Sequence, residues 1–237
     1  MKIVIKNDNF KIGQDEIDKK TFTIFFNSYS EAIIKSITRT KIILGATTTE
    51  KYNSLSFKAT KVQPFCDFQN DLKRETGTKM GQYNSILKMT YNLATQLNYL
   101  ILHHSKTFLG FSPENVIVID KNKFVYLSSE YLLDIHNENI MITFPFSQND
   151  FFMSPELLNI IDIPSFINYK VSYFSFGCLI LYGLFGHNEF LKKDDEKTSE
   201  ENLKYIMNTI SIKNTQLYWL LKRCLVEDAK NRVILFI

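Results

Sequence analysis

Glycine and proline are scarce: eight and five in 237 residues. That scarcity excludes long flexible or proline-rich linkers. Cysteine is scarcer still, and Cys66, Cys178 and Cys224 lie far apart. An odd number of widely spaced thiols suits a reducing compartment, and no pair has metal-ligand spacing. Long apolar runs are missing as well. The opening MKIVIK is too short for a signal peptide, and Phe176 to Gly186 is too short to span a bilayer. Nor does charge of one sign accumulate. The net charge is +3, with lysines scattered rather than gathered into a stripe, which gives no case for nucleic acid. The expectation is an intracellular, cytoplasmic protein with neither a membrane nor a nucleic-acid partner.

What is present points to a folded chain. Hydrophobic residues make up 45% and aromatics 14%, enough to build a core. The first sixty residues favour strands at 2–5, 21–26, 41–49 and 54–59, each β-branched or aromatic and bounded by turn formers. Between the second and third, residues 30–39 fit a short helix capped by Ser30, with Ile33, Ile34 and Ile37 on one face. Pro64 breaks the pattern, and 61–71 is expected as a connection.

The remainder is helical. Apolar residues at three- and four-residue steps predict a long amphipathic helix over 86–102. A hairpin follows, with strands at 116–119 and 124–127 around a charged turn. Ser154 and Pro155 should start a helix, 172–185 should be a central buried helix, and 213–228 a further amphipathic one. The order implies an α+β fold in two lobes, 1–62 rich in strands and 63–237 mainly helical.

Five fragments punctuate the second part: FLGFSPEN (108–115), SSE (128–130), MSPEL (153–157), SYFSFGCLILYGLFG (172–186) and CLVEDAKNR (224–232). In this order and spacing they resemble the motifs of the eukaryotic protein kinases. Pro113, Glu114 and Asn115 agree with the end of the family's catalytic loop. Ser128, Ser129 and Glu130 fall where Asp-Phe-Gly stands. Ser154, Pro155 and Glu156 match Ala-Pro-Glu. Ser175 and Gly177 are retained from the Asp-x-Trp-Ser-x-Gly helix, whose Asp is Ser172 here. Asp228 and Arg232 match the closing Asp-Pro-x-x-Arg. The likeness covers about residues 84–232. It implies a kinase-like bilobal fold with a reduced N-lobe, a C-lobe truncated near its last helix, and a Glu156–Arg232 ion pair. Glu31 could stand for the family's helix Glu, with Lys11, Lys19 or Lys20 as its lysine.

The resemblance also shows what is missing. Phosphoryl transfer depends on positioning and charge neutralisation. The catalytic Asp position is Gly110, the phosphate-steadying Lys is Ser112, and the magnesium-holding Asp is Ser128. Magnesium prefers anionic oxygens, so Ser128 is a poor ligand, and Asn115 is only a weak nucleotide-binding candidate. No glycine-rich loop cradles phosphate. Losing one well-aimed electrostatic group costs ~3–4 kcal/mol of transition-state stabilisation; here several are gone together.

The resemblance therefore implies a pseudokinase with no catalytic residue, no bound metal, and poor affinity for ATP and magnesium. Such a protein acts through a protein partner, an active kinase or its substrate, as scaffold, decoy or allosteric regulator. The alternative is a kinase-fold transferase or nucleotide binder with altered chemistry, supported by Asn115 and Glu130. Elsewhere the plain readings dominate. His103 and His104 close a helix, His136 and His187 lack ligand spacing, and Trp219 with Leu217, Leu220, Leu221 and Leu225 belongs to the core. Residues 192–202 form a solvated stretch or a docking surface.

Overall fold

The computed structural model describes residues 1–48, 53–76, 79–147, 149–185 and 199–234. Helices and small sheets are mixed in an α+β arrangement. Two compact units are resolved: Met1–Phe108 with Pro113–Asp134, and Leu109–Ser112 with Ile135–Ile237. The residue-62 boundary expected from the sequence lies inside the first unit.

The first unit opens with an antiparallel five-stranded sheet. Its strands are β1 (Lys2–Lys6), β2 (Phe10–Gln14), β3 (Thr21–Phe26), β4 (Thr47–Thr48) and β5 (Ser54–Lys58), ordered β1-β2-β3-β5-β4. Phe10, Ile12, Phe22, Ile24, Leu55 and Phe57 are buried along it. Helix α1 (Glu31–Arg39) follows β3 and buries Ile33, Ile34 and Ile37, the face its spacing predicts.

Three expectations for this stretch need correction. Strand β2 was not foreseen, although Phe10 and Ile12 bury alternately along it. The strand expected over 41–49 shrinks to Thr47–Thr48. Lys41 and Gly45 take left-handed backbone, and Ile42 and Ile43 are both buried as neighbours; in a half-buried strand they would alternate. Ser30 does not cap α1 through its side chain. Its Oγ donates to the Ser28 carbonyl instead.

The unit continues with β6 (Val62–Pro64), α2 (Phe65–Thr76), α3 (Lys79–His104), β7 (Lys106–Phe108), β8 (Val116–Ile119), β9 (Lys123–Tyr126) and β10 (Leu132–Asp134). Residues 61–71 are thus no connection but a whole short strand and the start of a helix. Pro64 closes β6, and Phe65 and Phe68 on α2 both meet the Phe124 ring edge-on, at 6.2 and 5.6 Å. Strands β6, β8 and β9 form a sheet whose β9 edge is sealed by α3. Asn92 Oδ1 accepts from Phe124 N (3.0 Å), while Gln96 accepts from Tyr126 N and donates to Tyr126 O, both 2.9 Å. Helical i, i+4 spacing matches strand i, i+2 spacing here, so two side chains satisfy the edge.

Between β8 and β9, Asp120 and Lys121 both take left-handed backbone (φ 51° and 60°). Asp120 Oδ1 accepts from Thr60 N, the Thr60 hydroxyl and Lys61 N at 2.7, 2.6 and 3.0 Å. Burial pushes its pKa up, but these bonds outweigh burial and hold the carboxyl below its ordinary value.

The second unit contains β11 (Asn139–Ile142), α4 (Pro155–Leu158), β12 (Ser165–Asn168), α5 (Val171–Phe185), α6 (Ser199–Thr209) and α7 (Gln216–Cys224). Every residue of α5 from Val171 to Leu181 is buried; its all-round apolar sequence requires this. Helix α4 is a single turn rather than the longer helix expected, and Ser154 does not cap it by side chain. On α7 the stripe Leu217, Leu220 and Leu221 is buried, as its spacing predicts. Leu225, expected in the same core, is half-buried, and Trp219 departs further. It is 44% exposed, because it lies off that face and carries the Lys222 ammonium over its ring at 5.3 Å.

Candidate functional site

The residues singled out in the sequence are divided between the units. Asn115 and Ser128 lie in the first, Gly110 and Ser112 in the second.

In the first unit, Pro113–Asn115 form a 3-10 turn entering β8, with Glu114 exposed and Asn115 buried. Asn115 Oδ1 accepts from the side-chain amides of Asn7 (3.0 Å) and Asn9 (3.3 Å), both on the β1–β2 turn. Two donors saturate an amide oxygen. Ser128 is buried, and its hydroxyl has no hydrogen-bond partner among the described residues. Ser129 exchanges a hydroxyl bond of 2.8 Å with Ser28, and Glu130 is exposed.

Glu31 is engaged within its own helix, pairing with Lys35 at 2.5 Å and accepting from the Tyr29 hydroxyl. Hydrogen bonds from Lys35, then Tyr29, hold its carboxyl below the ordinary range. Lys11 lies on β2 with its ammonium 5.5 Å from the Phe25 ring centroid. Lys19 and Lys20 sit in the exposed β2–β3 turn. None of the three is paired with Glu31 among the described contacts.

In the second unit, the loop 109–112 is buried throughout. Phe111 N donates to Ser175 Oγ of α5 at 2.7 Å, Phe111 O accepts from Phe152 N at 3.0 Å, and the Phe111 and Phe176 rings lie 5.5 Å apart. A Cβ built on Gly110 would sit 2.6 Å from Phe151 Cγ. The aromatic ring therefore fills the volume that a side chain at 110 would need. Ser112 is buried beside it in sequence, and Ser172 donates to Tyr169 O at 3.1 Å.

The structural motif residues meet. Arg232 is fully buried and grips Glu156 with two bonds, Nη1–Oε2 at 3.1 Å and Nη2–Oε1 at 2.6 Å. Its remaining donors reach the carbonyls of Val226, Glu227 and Lys170, and the guanidinium lies 5.0 Å from the Phe174 ring centroid. Asp228 caps the 3-10 turn Ala229–Asn231, accepting from Lys230 N at 3.0 Å. A Cβ on Gly177 would lie 2.8 Å from Leu225 Cδ2 and 3.2 Å from Cys224 Cβ, so glycine permits the close approach of α5 and α7.

Sequence reasoning missed Asn7, Asn9 and Phe151. Asn7 and Asn9 offered a turn signal only, and Phe151 offered nothing beyond its hydrophobicity. His136 sits at a tight turn, exchanging both backbone bonds with Asn139 (2.8 and 2.9 Å). His187 and residues 192–198 lie outside the described residues. Among the described residues, no group of three or more His, Cys, Asp or Glu could hold a metal ion, and no helix is long and apolar enough to cross a membrane. No protein-family model matches the chain, and no curated protein matches it either.

Proposed function

We propose that this chain is a catalytically silent protein-kinase-like protein that acts by binding a protein partner. The observation that carries the reading is Gly110. By the kinase resemblance this position would hold the base, and here the space for any side chain is filled by Phe151. A missing carboxylate could be a simple substitution. A position whose side-chain volume is packed with an aromatic ring supports the reading that no catalytic carboxylate is accommodated there.

Three further features support it. Ser128 presents a neutral hydroxyl where a metal-holding carboxylate is needed. Asn115 spends its oxygen on two protein amides. Against these losses, the Glu156–Arg232 pair and the Gly177 packing keep their structural partners, so scaffold residues persist where chemical ones do not. The reading implies a partner such as an active kinase or its substrate, with the chain serving as scaffold, decoy or allosteric regulator, and no ATP or magnesium held in the process.

Incubation with labelled ATP and magnesium or manganese tests the catalytic half. No label should appear on the chain or on generic protein substrates. Transfer above that of a heat-denatured control would contradict it.

A further inference from the structure

We propose that the β1–β2 turn is a built-in latch on Asn115, occupying the oxygen that a metal–nucleotide pair would use. The inference rests on reading Asn115 as the surviving Asn of the kinase loop.

The latch is argued from donors and acceptors. Asn7 Oδ1 accepts from Asn9 N (3.0 Å) and Phe10 N (2.9 Å). These two backbone donors fix which way the Asn7 amide faces, so its Nδ2 points at Asn115 and Asn115 must answer with its oxygen. Asn9 Nδ2 reaches the same oxygen. The turn is held from its other side by Asn27, whose N donates to Asn9 O (3.1 Å) and whose Nδ2 donates to Asp8 O (2.6 Å). Four asparagines thus tie together segments more than a hundred residues apart. A cation could reach the oxygen only after both amide bonds broke, and the half-buried Asn7 and Asn9 amides would then have to find new partners. The turn closes over this oxygen without any ligand.

Hydrogen exchange of the Asn9 and Phe10 amides in the full chain tests this. Asn115→Ala removes the acceptor and should speed both amides about tenfold, the loss of roughly one hydrogen bond to the turn. Asn115→Asp keeps an oxygen that accepts from both amides, and should preserve their protection. Asn9→Ala, in a partly exposed turn that tolerates truncation, should give a smaller acceleration at Phe10. Unchanged exchange in Asn115→Ala and Asn9→Ala would overturn the latch, as would equal loss in the Ala and Asp variants. Those results leave the absence of phosphotransfer untouched. A magnesium- and ATP-dependent thermal shift of the parent, with the turn still protected, would overturn both the latch as an excluding device and the pseudokinase reading.

Discussion

The Arg232 guanidinium and the Glu156 carboxylate face each other through two parallel bonds, with the arginine fully buried and the glutamate side chain 24% exposed. Planar fork meets planar fork, the geometry in which arginine cannot be exchanged for lysine. Glu156→Ala leaves a buried cation with only carbonyl and aromatic neighbours. Breaking such pairs costs ~3–5 kcal/mol when both partners are buried. Solvent at Glu156 softens the loss, so chemical denaturation should read about 2–3 kcal/mol. An unchanged midpoint would show that the pair does not hold this unit together.

Gly110 is constrained by its neighbour rather than by its backbone. Gly110→Asp drives a side chain into the Phe151 ring, and overpacking of this kind costs ~1–3 kcal/mol before charge burial is added. The variant should melt lower than the parent and still transfer no phosphate. Adding Ser128→Asp should not rescue transfer, because on the proposed kinase reading Ser112 occupies the place of the phosphate-steadying lysine. A working kinase from these two changes would contradict the account.

His104 supplies a pH dependence. Its Nε2 is buried at the end of α3 with no hydrogen-bond partner among the described residues. Burial first, then the nearby Lys35, with His103 and Lys106, pushes its pKa below the ordinary 6.5; Glu31 opposes them only in part. The folded state therefore disfavours the proton that the unfolded chain accepts. Stability should fall as pH drops below ~6.5 and level off beneath the folded value. His104→Phe should flatten the melting temperature between pH 7 and 5. An unchanged slope would assign the effect elsewhere.

The cysteines give a count. Burial pushes the Cys178 thiol up and the Cys224 thiol up to about 12, while Arg232 offsets only a part. Neither forms thiolate near neutrality, and neither is accessible. A thiol reagent at pH 8 should find at most one reactive cysteine in the folded chain, Cys66, and three after denaturation. Two or more fast thiols before unfolding would contradict the packing of α5 and α7.

Much of the architecture was legible because periodicity reports burial. The isoleucine face of α1 and the all-apolar α5 follow from which side chains must avoid water, and strands β3 and β5 from their short β-branched and aromatic runs. The misses occur where a tertiary contact overrides a local signal. Pro64 suggested a connection, yet it only ends a strand, and the Phe65 and Phe68 rings then bury a helix against Phe124. Trp219 is expected in the core with the leucine stripe of its helix, but it lies off that face and is exposed. At the candidate site the identities of Gly110, Ser112, Asn115 and Ser128 are legible, and the kinase reading built on them is the proposal above. The Phe151 ring against Gly110 and the Asn7 and Asn9 amides on Asn115 were not legible, because partners tens of residues away leave no mark on local pattern.

The most direct test is a thermal-shift titration of the full chain with ATP and ADP, each with and without magnesium or manganese. A ligand at a hundred times its dissociation constant raises stability by ~2.7 kcal/mol, an effect easily seen in the melting temperature. The account predicts no metal-dependent shift at millimolar nucleotide. A clear shift that requires the metal and disappears in Asn115→Ala would contradict it.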